Sequence, residues 1–310
     1  MMMQSHDYDH TMIPHLSKKG NATQLIVHDK PFLIIGGELH NSSTSSLAFM
    51  QPVWERLTAL NLNTVLSVVS WELVEPEEGQ FHFDLVDDLI DEARRHGLHL
   101  ILLWFGSWKN AMSSYVPAWV KRDDHRFPRT AIGEGQVVEI LSTFSAEACS
   151  ADARAFAGLM RHLGEIDGRE HTVIMIQVEN EVGVLGDSRD RSGPANTAFT
   201  GEVPVGLLAH LEKHRSELGS GLFARWQANG FRKEGTWEQV FGTGKETDEI
   251  FMAWHYAQYI DAVAAAGKSE YPLPLFVNAW LSSLGLTPGG WASGGQKPGE
   301  WPSGGPLPHT

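Results

Sequence analysis

Residues Thr172 to Gly183 read T-V-I-M-I-Q-V-E-N-E-V-G. The first half is a run of β-branched and apolar residues, long enough for a strand buried on both faces and too short for an ordinary helix. It stops in Gln177, Glu179, Asn180 and Glu181, polar groups that cost free energy in a dry place unless paired or used. A parallel strand ending in carboxylates is where α/β barrels hold their chemistry, because the carboxyl ends of the strands open into the cleft. Side-chain alternation puts Glu179 and Glu181 on one face and Asn180 on the other. A bulge or twist is therefore needed for Asn180 and Glu181 to face the cleft together.

Working outward, the same pattern recurs. Apolar runs at Phe32 to Gly37, Asn63 to Trp71, Leu98 to Phe105 and Leu273 to Trp280 read as four more strands, and several end in polar residues such as Glu38 and Glu75. Between them lie helical stripes. One follows Pro52, expected in a first turn, with Val53, Leu57 and Leu60 at helical spacing. A second is capped by Asp84, carries Leu85, Val86, Leu89, Ile90 and Ala93 on one face, and ends before Gly97, which suits a left-handed terminus. A third runs from Phe156 to Ile166, and further helical stretches lie near Val205 to Leu218 and Thr247 to Ala266. Gly106 to Ser145 is rich in Trp, Pro, Lys and Arg without a sustained period, which reads as a long functional loop.

Strand alternating with helix implies a parallel sheet with right-handed crossovers. An open nucleotide-binding sheet wants a glycine-rich turn after the first strand, and Gly36-Gly37-Glu38 lacks the further glycines. The reading is an α/β fold of (β/α)8 TIM-barrel type, incomplete, with about five of eight strand–helix units. Residues 1–22 read as a flexible arm, 23–286 as the barrel portion, and 287–310 as a Gly/Pro-rich tail leading toward missing strands.

The 310 residues carry a formal net charge of -14, which argues against nucleic acid or an anionic membrane surface as partner. No run is long enough to span a bilayer. The single cysteine, Cys149, excludes internal disulfides, and the N-terminus M-M-M-Q-S-H-D-Y-D-H lacks the apolar core of a secretory signal; the expectation is a cytoplasmic protein. The 15 histidines make no His-x-x-x-His beside an acid and Cys149 has no partner, so neither a metal nor another cofactor is expected.

Glu181, half shielded at a strand end, is expected to have its pKa raised by desolvation and to act as a general acid, with Asn180 bonding a substrate hydroxyl. The bland alternative pairs Glu179 and Glu181 with arginines of the next loop. Trp71, Glu75, Trp108, Lys109 and Asn110 are further candidates, since aromatic faces beside amide, ammonium and carboxylate groups suit a polyhydroxylated ring. Core tryptophan is the usual alternative for each indole.

The order G-G-E-L-H-N (Gly36 to Asn41), W-E-L-V-E-P-E-E-G-Q-F-H-F (Trp71 to Phe83), G-L-H-L-I-L-L-W-F-G-S-W-K-N-A (Gly97 to Ala111), V-P-A-W-V (Val116 to Val120) and Q-V-E-N-E-V-G (Gln177 to Gly183) resembles the β-galactosidases of glycoside hydrolase family 35. It is most similar to the bacterial and fungal branch with an extra C-terminal domain. The resemblance implies a (β/α)8 barrel, retaining hydrolysis of β-glycosides, a carbohydrate substrate, Glu181 as acid/base and Asn180 as the residue bonding the sugar 2-hydroxyl. Asn110-Ala111-Met112 stands where the family has Cys-Ala-Glu, and Val74 replaces the His of His-Glu-Pro; both departures bear on galactoside preference. The family's nucleophile is a Glu ending the seventh strand, beyond the five read here, whereas retention needs two carboxyls about 5–5.5 Å apart. The chain is thus expected to be an acid/base-bearing N-terminal portion. The alternatives are an inactive sugar-binding remnant and a structural half-barrel that needs a partner chain.

Overall fold

The computed structural model describes residues 13–280 and residue 292. Five parallel strands, β1 (Gly36–Glu38), β2 (Thr64–Ser70), β3 (His99–Lys109), β4 (Val173–Asn180) and β5 (Leu275–Asn278), pair in sequence order. An open doubly wound sheet reverses its strand order at a switch point. This sheet never reverses, and it curls as a half-barrel. The crossovers are α1 (Leu47–Ala59), α2 (Asp84–Arg95), α3 (Ala146–Asp167) and α4 (Lys245–Glu270).

Both faces of β2, β3 and β4 are buried, which is why these strands read as unbroken apolar runs. On β3, Leu100, Leu102 and Trp104 face the helix layer with Phe156, Leu159 and Met160 of α3. The alternate residues Ile101, Leu103 and Phe105 form the inner layer with Val68 and Ile174. Leu25 and Val27 join that layer from an N-terminal hairpin, His15–Lys19 paired with Ala22–Val27. The arm expected over 1–22 therefore gives way to a strand from His15; its pattern was hidden because most of its side chains, Leu16 among them, are exposed. Residues 1–12 and the tail expected from 287, Ala292 apart, lie outside the described residues.

Three boundaries also differ. Helix α1 begins at Leu47 with Ser46 capping the Phe49 amide, so Pro52 lies inside it and not in its first turn. Asp84 is the first helical residue and Phe83 holds the cap position; the acid still favours the positive end of the helix dipole. The stretch read as a long loop contains the end of β3, a short helix Ala118–Arg122, and a hairpin of Arg129–Ile132 with Gln136–Leu141. Gly97 ends its helix at φ +68°, the left-handed conformation glycine adopts without strain. Helices at Gly193–Thr200, Ser220–Ala228 and Trp237–Phe241 escaped the sequence reading. No helix among the described residues is long and apolar enough to cross a membrane.

On α4, His255 sits 4.5 Å from the Phe144 ring and 4.6 Å from Phe251, centre to centre. Burial holds its imidazole down at about 4, so the folded chain keeps it neutral where the unfolded chain, near 6.5, takes up a proton. Folding then releases that proton, and stability falls as pH drops from about 6.5 toward 4. The loss is on the order of 3 kcal/mol. Paired urea titrations over that range should show it as a stability of His255→Leu that gains on wild type as pH falls.

Candidate active site at the ends of β3 and β4

The polar end of β4 is a distorted piece of backbone. Glu179 has φ +61° and Glu181 φ +50°, left-handed values that a non-glycine residue adopts at a cost. Pairing with β3 slips between Trp104 and Lys109, and pairing with β5 slips between Phe276 and Asn278. The bulge called for by strand alternation is present. Its cause is chemical. Glu179 turns its side chain back into the protein, where one carboxylate oxygen accepts from the Ser107 amide at 2.9 Å and the other from the Trp108 amide at 2.7 Å. Those two amides are spent on a side chain, so the ladder skips them.

Past the bulge the strand end is cross-linked through amides. Asn180 accepts at Oδ1 from Gln177 and Asn278, both at 3.0 Å, and its Nδ2 donates to Asn110 Oδ1 at 3.2 Å. The Glu181 amide donates to the Asn278 carbonyl at 2.8 Å, and the Glu181 carbonyl accepts from the Ala111 amide at 2.9 Å. Asn110 and Ala111 are themselves left-handed, at φ +52° and +62°. Lys109 lies within the field of both Glu181 and Glu38: burial draws its ammonium below the usual range, and the two carboxylates oppose that shift. Its ammonium also sits 4.9 Å above the Phe105 ring. Glu181 itself is half-buried.

Glu181, Asn180, Asn110 and Lys109 are therefore brought together. The arginines of the following loop go elsewhere: Arg191 pairs with Asp187 at 2.8 Å and Asp248 at 2.9 Å, and Arg189 with Asp248 at 3.2 Å. The other three candidates take interior positions. Trp71 is wholly buried and its indole N–H donates to Glu75 at 2.8 Å. Glu75, also wholly buried, accepts in addition from the Gly79 amide at 2.7 Å and from Arg154 at 3.3 Å. Trp108 is buried against Tyr256 and Tyr259 and donates to the Leu141 carbonyl at 3.1 Å. A cavity of about 540 Å³ lies between α4 and residues 221–243 and touches none of these groups.

A residue the sequence reading missed stands behind Glu179. Asp152 of α3 is fully buried and accepts from Trp104 Nε1 at 2.9 Å, the Ser107 amide at 3.0 Å and the Ser107 hydroxyl at 2.6 Å. One signal was available: Asp152 lies four residues from both Ala148 and Phe156, inside the apolar stripe of its helix.

The sequence profile of glycosyl hydrolases family 35 matches residues 24–197. A β-galactosidase of Xanthomonas manihotis is 29% identical over 177 residues, covering 53% of this chain and 26% of that protein. A probable β-galactosidase A of Aspergillus phoenicis is 31% identical over 103 residues, 32% of this chain and 10% of that one. Among solved structures, the β-galactosidase of the psychrophilic Marinomonas ef1 superposes with a TM-score of 0.53 at 15% identity, over 79% of this chain and 37% of that one. At that identity the likeness speaks for the fold alone. The chain spans about a quarter of the length of the Xanthomonas relative.

Proposed function

The chain belongs to glycosyl hydrolases family 35, and on that premise we propose that it is the acid/base-bearing part of a retaining β-galactosidase-like enzyme. Glu181 is the proton donor to the departing glycosidic oxygen and, in the second half of the cycle, the base that activates water. Asn180 bonds a hydroxyl beside the reacting carbon, with Asn110 and Asn278 fixing which way its amide points. Lys109 supplies a cation to the same cleft and keeps Glu181 from facing Glu38 unscreened. Trp71, Glu75 and Trp108 support the wall. The nucleophilic carboxylate belongs to a part of the barrel beyond the described residues.

The observation that carries this reading is the left-handed pair at Glu179 and Glu181 flanking Asn180. Strain of this kind gathers where a fold must aim a side chain, and here it reverses the alternation that would otherwise send Asn180 and Glu181 to opposite faces. Matched assays on nitrophenyl β-galactoside test it. The 310-residue chain should give no turnover, and a longer gene product that completes the barrel should turn over. Hydrolysis by the short chain would mean that the nucleophile lies within it.

A further inference from the structure

Asp152 and Glu179 make an unusual arrangement. Both side chains are buried, and both accept the same Ser107 N–H, at 3.0 and 2.9 Å, so their oxygens converge on one point. The groups facing them are Trp104 and Cys149 on one side, Ser107 and Trp108 on a second, and Tyr259 from α4 on a third. None of these is a base. Tyr259 can donate to the Ser107 hydroxyl at 2.7 Å, which in turn donates to Asp152 at 2.6 Å. Gly106 is part of the construction: a Cβ there would stand 2.4 Å from Glu179 Oε1 and 2.6 Å from Asp152 Oδ1.

Two buried carboxyls whose oxygens share one donor cannot both ionise without a large cost. Burial and the neighbouring Asp152 push the Glu179 carboxyl well above the usual carboxylate range, and burial raises Asp152 as well. A carboxyl pair is a costly way to fill a core, since apolar side chains of similar volume do as well or better. Its location gives it a use, because Glu179 grips the two amides that force the bulge in front of Glu181.

We propose that Asp152 and Glu179 are paired positioning residues that hold one proton between them and, through the Ser107 and Trp108 amides, set the left-handed backbone that aims Glu181. The aiming role rests on the function proposed above; the shared proton does not.

Three measurements test the pair. Infrared spectra of the 310-residue chain at pH 7 should contain a protonated-carboxyl band that Glu179→Gln and Asp152→Asn each remove; a wild-type spectrum without that band overturns the shared proton. The folded chain retains a proton that the unfolded chain releases above about pH 4.3, so the pair's own contribution to stability falls as pH rises. The folding constant of either variant relative to wild type should therefore grow about tenfold per pH unit from pH 5 to 7, and a flat ratio overturns the idea. Should one variant fail to fold, the other gives the same comparison. Amide exchange at Trp108 and Glu181 should quicken at least tenfold in Glu179→Gln, because a carboxamide offers one acceptor where the carboxylate offers two; unchanged exchange overturns positioning. In the longer product Glu179→Gln should lower kcat tenfold or more with KM held, and an unchanged kcat likewise overturns positioning. A longer product without turnover but with the infrared band intact would refute the hydrolase reading and leave the pair standing.

Discussion

Glu181→Gln in the longer gene product should lower turnover of an alkyl β-galactoside by about 10²- to 10⁴-fold, the usual range for a lost general acid. The side chain keeps its size, and the Asn278 and Ala111 bonds are to the main chain of residue 181, so sugar affinity should stay within a few-fold of wild type. The leaving group sorts the two halves of the cycle. An alkoxide needs a proton as it departs, whereas a nitrophenolate is stable enough to leave almost unaided. The nitrophenyl substrate should therefore lose less in its first step and accumulate the glycosyl-enzyme, whose hydrolysis still needs a base. Azide, an anion that attacks without one, should restore release and yield a glycosyl azide. Equal losses on both substrates with no rescue would show that Glu181 supports structure and does not move a proton. Glu179→Gln behaves differently under the same assay. Its effect reaches the chemistry through the backbone, so azide should not rescue it.

The barrel was legible because parallel strands buried on both faces leave apolar runs, and β2, β3 and β4 each left one. The first strand was legible with the wrong extent. Phe32 to Gly37 reads as a strand, yet the ladder holds only Gly36–Glu38, and Leu33 and Ile35 are 78% and 53% exposed. Apolar character reports what a residue would bury against, and no element among the described residues covers that edge. The hairpins were illegible for the opposite reason: main-chain bonds hold His15–Lys19 in place while its side chains carry no alternation. At the site, chemistry-bearing residue types at a strand end pointed to Asn180 and Glu181. The indoles are ambiguous in sequence because a tryptophan beside polar residues reads alike whether its N–H meets a sugar or, as in Trp71, a buried carboxylate. The Asp152 contact joins residues on α3 and β4, and pattern within one element cannot show what lies across two. Only its place inside an apolar helical stripe marked it out.

Gly106→Ala should be among the most damaging single-methyl changes in the chain. The backbone there is not left-handed, so the constraint is space and not conformation. The added carbon would stand 2.4 Å from Glu179 Oε1, 2.4 Å from Trp104 Nε1 and 2.6 Å from Asp152 Oδ1, closer than carbon approaches oxygen or nitrogen without a bond. Overpacking of this kind costs roughly 1–3 kcal/mol by itself. Relief requires a carboxyl to move, and each hydrogen bond to a charged group given up adds about 1.5–3 kcal/mol. A loss of about 4 kcal/mol or more is expected, a large fraction of the total stability of a typical domain. Gly158→Ala in α3 is the control. Its Cβ would meet the Phe81 ring edge first, at 3.1 Å, and Phe81 is partly exposed and can give way. Alanine gains up to about 1 kcal/mol over glycine inside a helix, so that change should be neutral or mildly stabilising. Denaturant midpoints for both variants decide the matter. If Gly106→Ala melts with wild type, the two carboxyls and the Trp104 indole are not packed around this backbone, and the bulge at Glu179 must have another cause.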